Sequence, residues 1–149
     1  SGILFNHESP LRPERFVTQK IVSAACRIAA GSREKLRLGN ISVRRDWGWA
    51  PEYVEAMWLM LQQDRADDYI VATGRTHALE DFVREVFASL DLDWHDHVEQ
   101  NPDLLRPTDI MLSLASPAKA ARRLGWQARS FMPDVARMMV NACRQAAGR

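Results

Sequence analysis

The chain has 149 residues, 46% of them hydrophobic, with 20 basic and 19 acidic side chains for a net charge of +1. That length suffices to bury one domain's core. Near-neutrality argues against a general nucleic-acid or membrane-surface binder, which needs clustered Lys and Arg, and no apolar run approaches the ~18 residues of a membrane-spanning helix.

The chain opens on Gly2-Ile3-Leu4-Phe5, long enough for a buried strand and too short for a helix, followed by a polar turn, Asn6-His7-Glu8-Ser9-Pro10. The turn places an amide, an imidazole, a carboxyl and a hydroxyl at the strand's carboxyl end, the edge where open α/β sheets bind ligands. A chain that begins on such a strand reads as the second half of a larger fold. Residues 11–15 form a charged loop. Val17, Ile21, Ala25 and Ile28 then repeat at helical spacing, and Gly31 supplies a C-cap. Residues 35–38 read as a short strand and 41–44 as another. Pro51 fits the first position of a second helix, with Glu52 in its first turn and Val54, Met57, Trp58 and Leu61 as its inner stripe. The Met and Trp residues at 57, 58 and 60 read as core.

Residues 69–72 form a strand followed by Thr73-Gly74. Thr76 is expected to cap a third helix, with Leu79, Phe82, Val83, Val86, Phe87 and Leu90 facing inward. Residues 91–111 read as loop with short strands. In that stretch His95 and His97 would share one face of a strand, too few ligands for a closed zinc site. Ser116-Pro117 opens a fourth helix that Gly125 stops, and Pro133 opens a fifth with Val135, Met138, Met139 and Ala142 inward. Five helices alternating with short strands make an α/β chain. Cys26 and Cys143 read as buried free thiols of a reducing cytoplasm.

Two runs carry chemistry on their own terms. Arg44-Arg45-Asp46-Trp47-Gly48 reads either as a surface arginine pair beside a buried Trp or as an anion-recognition run. In the second reading, a guanidinium fork grips phosphate oxygens and Asp46 holds the fork in place. Asn6 is either a turn former or an amide donor to phosphate.

These runs, with Phe16-Val17-Thr18-Gln19-Lys20-Ile21, Leu38-Gly39-Asn40, Ala72-Thr73-Gly74, Arg106-Pro107-Thr108-Asp109, Pro117-Ala118-Lys119-Ala120 and Leu124-Gly125-Trp126, occur in the order found in GDP-mannose 4,6-dehydratases. From residue 2 to about 140 the chain resembles the carboxyl-terminal half of that family, which belongs to the extended short-chain dehydrogenases/reductases. The resemblance implies the substrate-binding part of a Rossmann-type enzyme, with the cofactor-binding half missing. All 149 residues would form a single compact unit, with strands 2–5 and 69–72 belonging to the Rossmann sheet.

The resemblance also implies roles. Asn6, Arg45 and Arg106 would contact the substrate diphosphate, and Val17 and Lys20 the guanine and its ribose. Leu38, Gly39 and Asn40 would line the base, with Gly39 admitting a close approach of backbone to ligand. Asp109, where the family usually has Glu, would accept a ribose hydroxyl. His7 would lie beside the nicotinamide end of NADP. Arg12 would reach across a subunit interface towards the neighbour's cofactor phosphate, although Leu11 replaces the first arginine of the usual pair. Trp49 stands where the family commonly has His, and Ala115-Ser116 replaces a usual Gly-Asp.

The family oxidises the mannose C4 hydroxyl with NADP, eliminates water across C5 and C6, and returns the hydride to C6, giving GDP-4-keto-6-deoxymannose. The seven glycines nowhere form the Gly-x-x-Gly-x-x-Gly cofactor turn, and neither Tyr53 nor Tyr69 is followed four residues on by Lys. No catalytic residue and no metal site is therefore assigned. The chain alone is expected to be inactive and to bind no NADP. Its expected partners are GDP-mannose or GDP, the missing half, and further copies of itself in a homo-oligomer. The alternative is a stand-alone module that binds GDP-sugars or oligomerises without catalysis.

Overall fold

The computed structural model describes residues 1–105 and 108–147. In chain order the elements are β1 (Gly2–Leu4), β2 (Asn6–Glu8), α1 (Val17–Ala29), β3 (Leu36–Leu38), β4 (Arg44–Arg45), β5 (Trp47–Trp49) and α2 (Ala50–Leu61). There follow β6 (Tyr69–Val71), β7 (His77–Ala78), α3 (Leu79–Ala88), β8 (Val98–Gln100), α4 (Ala118–Leu124) and α5 (Met132–Ala147). Short 3-10 turns lie at Trp94–Asp96 and Pro102–Leu104. This is an α/β fold with five helices. The strands form four separate pairs: β1–β6, β2–β5 and β3–β8 parallel, and β4–β7 antiparallel.

The larger core joins α1, α3 and α5 through Ile21, Val22, Ala25, Phe82, Val86 and Met139, with Trp47, Leu36 and Leu38 beneath them. A smaller core holds Tyr53, Ala56, Tyr69, Val71, Ala120, Leu124 and Trp126. The helices with a clear apolar stripe fall where their periodicity puts them. Gly31 follows α1 at φ +101° and Gly125 ends α4 at φ +66°, backbone angles that favour glycine. In α5 the buried set is Met132, Val135, Ala136, Met139 and Val140, while Met138 and Ala142 are only half-buried.

Several expectations are corrected. Residues 6–8 are not a turn: after Phe5 donates its N–H to the Val71 carbonyl at 3.0 Å, the chain stays extended and changes partner from β6 to β5. The apolar opening strand is not buried, since it pairs with β6 alone and leaves Ile3 53% exposed. Residues 41–43 do not pair as a strand. Ile41 and Val43 are buried, and their carbonyls accept the N–H groups of Glu80 and Leu79, both at 2.9 Å. Those two bonds cap α3 in place of Thr76, because a helix start can be satisfied by any acceptor that reaches its open donors.

Helix α2 is rotated from its expected phase. Glu52, Tyr53 and Ala56 face inward, while Val54 and Trp58 are each 60% exposed and Leu61 82%. Glu52 turns in because its carboxylate accepts the Arg129 N–H at 2.8 Å and the Ser130 hydroxyl at 2.6 Å, fixing the turn that leads into α5. His95 lies in a 3-10 turn with Nδ1 2.7 Å from Asp93, and His97 stacks on Phe87, so the two rings share no strand face.

Candidate functional site

The strand change at Phe5 positions the site. Alternation along β2 sends Asn6 and Glu8 to one face and His7 to the other. Asn6 is in register with Trp47, two residues beyond Arg45, which itself lies on β4. Arg45 donates through Nη1 to the carbonyls of Arg44, at 2.9 Å, and Ile110, and its Nη2 lies 3.9 Å from the Asp109 carboxylate. Two residues expected on one ligand thus meet across 64 positions of sequence.

Asp46 does not hold the Arg45 fork, because strand alternation turns it the opposite way. It is wholly buried and accepts the N–H groups of Thr73 at 3.0 Å and Gly74 at 2.7 Å, fixing the turn at the end of β6. Trp47 is buried, and Trp49 sits at the start of α2 against the larger core.

Val17 stands at the amino end of α1, 39% exposed and out of the core. One turn on, Lys20 donates Nζ–H to the Arg37 carbonyl at 2.7 Å, tying α1 to β3. Leu38 points into the core, and its carbonyl accepts the Asn101 N–H, so neither group reaches outward. A Cβ on Gly39 would lie 2.6 Å from the Leu104 carbonyl oxygen; the close approach this glycine permits is made by the chain itself. Asn40 uses Oδ1 to accept from the Ser42 N–H and hydroxyl, and its Nδ2 lies 3.6 Å from the Met111 sulfur. Residues 109–113 link the two groups of candidates: they touch Asn40 through Met111 and Arg45 through Asp109 and Ile110, and they run along β4, where Arg44 donates to Met111. Arg106 lies outside the described residues.

Arg12 folds onto its own chain. Its Nε is 3.1 Å from Glu8, and its guanidinium lies 4.0 Å over the Phe16 ring. Glu8, buried to 1% exposure, also accepts the Thr18 hydroxyl at 2.8 Å. Burial raises its pKa, against the lowering pull of Thr18 and Arg12. On the other face of β2, His7 stacks on Tyr53. The Glu8–Thr18 bond and the His7–Tyr53 stack are the contacts here that local spacing does not give.

The two cysteines are half-buried rather than buried. Burial and a hydrogen bond with Cys143 push the Cys26 thiol up to about 12. Among the described residues no group of three or more His, Cys, Asp or Glu is placed to hold a metal ion, and no helix is long and apolar enough to cross a membrane. A separate cleft of about 450 Å³, lined by Thr73, Arg75, Ser116, Arg122 and Phe131 among others, contains none of the candidate residues.

A family model described as GDP-mannose 4,6 dehydratase matches residues 1–139. GDP-mannose 4,6 dehydratase 1 of Arabidopsis thaliana is 48% identical over 141 residues, 95% of this chain and 39% of that protein. The Homo sapiens GDP-mannose 4,6 dehydratase is 38% identical over 159 residues, 95% of this chain and 43% of its own length. The chain thus spans less than half the length of these curated relatives. Among solved structures, RMD from Pseudomonas aeruginosa complexed with NADPH has a TM-score of 0.87 at 18% identity, covering 97% of this chain and 48% of that one. The dTDP-glucose 4,6-dehydratase of Bacillus anthracis in complex with NAD has a TM-score of 0.84 at 15% identity, covering 99% and 45%. At those identities the likeness is one of fold.

Proposed function

This chain belongs to the GDP-mannose 4,6-dehydratase family, and on that premise we propose that it supplies the nucleotide-sugar-binding part of a GDP-mannose 4,6-dehydratase. The observation that carries the proposal is Arg45: a guanidinium pinned by two backbone carbonyls, 3.9 Å from Asp109 and two residues before Trp47, the register partner of Asn6. An arginine fixed in this way loses little freedom when its remaining N–H groups meet phosphate oxygens. Asn6 adds an amide donor. Arg106 is assigned to the same diphosphate by the family motif alone. The exposed Val17 at the open end of α1 and Lys20 beside it face the guanosine, together with the 39–40 turn. Leu38 contributes only as the core residue that holds this turn in place.

NADP, when bound, would supply the hydride acceptor of the reaction. The residues here fit one end of it: the His7 ring, held at Nδ1 by the Phe5 carbonyl, leaves Nε2 for a ligand. Arg12 is committed to Glu8 and Phe16, so reaching a neighbouring subunit's cofactor requires that pair to part. These 149 residues contain neither the Gly-rich turn nor the Tyr-x-x-x-Lys pair. We assign them positioning, which at best lowers a barrier by roughly 7–11 kcal/mol, and assign the proton and hydride steps to groups outside them. On this reading the chain alone binds substrate without turning it over, and β1 and β6 continue into a Rossmann sheet borne by a cofactor-binding half. The two thiols fit a reducing compartment such as the cytoplasm.

A second reading, a homo-oligomerising module, is favoured by the open edge of β1 and the exposed Val54, Trp58 and Leu61 of α2. Calorimetric titration of GDP into the chain and its Arg45→Ala variant tests the first reading. Saturable heat that weakens at least tenfold in the variant is expected; equal heats, or none from either protein, would overturn it.

A further inference from the structure

We propose that Tyr53 is a positioning residue for His7, fixing the plane and the tautomer of its imidazole so that Nε2 is held as a hydrogen-bond acceptor. The proposal rests on the preceding reading only in naming NADP as the molecule that Nε2 meets.

The tautomer follows from one contact. His7 Nδ1 lies 2.8 Å from the Phe5 carbonyl oxygen. A carbonyl accepts and never donates, so Nδ1 carries the proton, and in the neutral ring Nε2 keeps its lone pair. Nε2 has no protein partner among the described residues. The ligand group it takes is therefore a donor, an amide N–H or a hydroxyl.

The plane of the ring follows from Tyr53. The two rings stack with centroids 4.7 Å apart and planes 26° from parallel. Tyr53 is wholly buried, and its own ring is fixed from two further directions. The Trp126 indole meets it edge-on at 5.8 Å and 86°, and that indole is anchored by its Nε1–H, which donates to the Glu52 carbonyl at 2.9 Å. Gly48 lies against it closely enough that an added Cβ would stand 2.4 Å from Cε2 and 2.7 Å from Oη. Gly48 is also in register with His7 on the neighbouring strand, so one short segment holds both members of the stack.

The phenol has no hydrogen-bond partner among the described residues, and burial raises its pKa, so it stays un-ionised near neutrality. It is the ring face, not the hydroxyl, that faces His7. Tyr53 thereby works through another residue: it sets a side chain that a ligand meets.

The test is nitrogen-15 NMR of histidine-labelled chain at a pH where the His7 ring is neutral. Wild type should show the Nδ1–H tautomer and His7 ring protons shifted upfield by the Tyr53 ring. Tyr53→Phe should keep both signatures. Tyr53→Leu should lose the upfield shift and mix the tautomers while the Trp126 Nε1–H resonance stays in place, a pattern that loss of stability alone does not give. If Tyr53→Leu does not fold, Gly48→Ala serves instead: displacing the ring should move the His7 signals. These readouts need neither GDP nor NADP, so they stand or fall separately from the GDP titration. An Nε2–H tautomer in wild type, or His7 signals unchanged in Tyr53→Leu or Gly48→Ala, would overturn the proposal.

Discussion

Substituting Gly48 by Ala would place a methyl group 2.4 Å from Cε2, 2.7 Å from Oη and 2.9 Å from Cζ of Tyr53. Carbon atoms in contact settle at roughly 3.5–4.0 Å, so ring and strand must separate by about 1 Å. Neither moves freely. The ring is wedged between His7 and Trp126, and Gly48 is held in its ladder with β2. Overpacking of this kind costs about 1–3 kcal/mol, which for a chain of this size lowers the melting temperature by roughly 2–12 °C. Urea unfolding of four proteins gives the answer: wild type, Gly48→Ala, Tyr53→Leu and the double variant. If the clash is the cause, Gly48→Ala costs little in the Tyr53→Leu background, because the smaller side chain leaves room for the methyl group. Additive costs, or a wild-type midpoint for Gly48→Ala, would refute the reasoning.

Asp46→Ala leaves the half-buried Thr73 and Gly74 N–H groups without their carboxylate and should lower stability by about 2–4 kcal/mol in urea unfolding, with Asp46→Asn costing less. Glu8 has a folded pKa above its ordinary value of 4.5 because of burial. Between those two values the folded chain binds the proton more tightly than the unfolded one, so the Glu8 contribution to stability is greatest at low pH and is lost as pH rises from 4.5 through the folded pKa. Urea midpoints measured upward from pH 4.5 should fall in wild type and stay flatter in Glu8→Gln. Carboxylates lowered by their partners, such as Asp134 beside the Phe131 N–H, act with the opposite sign and below that window. Trp58→Gln should change stability by less than ~0.5 kcal/mol, because the ring is on the surface; a loss of several kcal/mol would place it in a core.

What could be read in advance depended on how one-sided each segment is. Helices α1, α3 and α5 carry apolar residues on one face and polar residues on the other, so their cores were legible. Helix α2 offers Val54, Met57, Trp58, Leu59, Met60 and Leu61 in almost every direction, and its phase is decided by Glu52 reaching Ser130, a partner 78 residues away. Likewise Asn6-His7-Glu8 has the composition of a turn. It is extended because β5 pairs with it and because Thr18 and Arg12 satisfy a buried carboxylate. Motif order named Asn6, Arg45 and Asp109, and of these Arg45 and Asp109 stand 3.9 Å apart. Local spacing could not tell that Leu38 points inward, that Gly39 yields to the Leu104 backbone, or that Asp46 binds the turn after β6. Each of those facts belongs to a contact distant in sequence.

The most direct test of the account is an amide NMR map of the nitrogen-15-labelled chain titrated with GDP. Perturbations that saturate and gather at Asn6, Val17–Lys20, Gly39–Asn40, Arg45 and Asp109 are the predicted result. No perturbation up to millimolar GDP, or shifts confined to the Arg75 and Arg122 cleft, would contradict it.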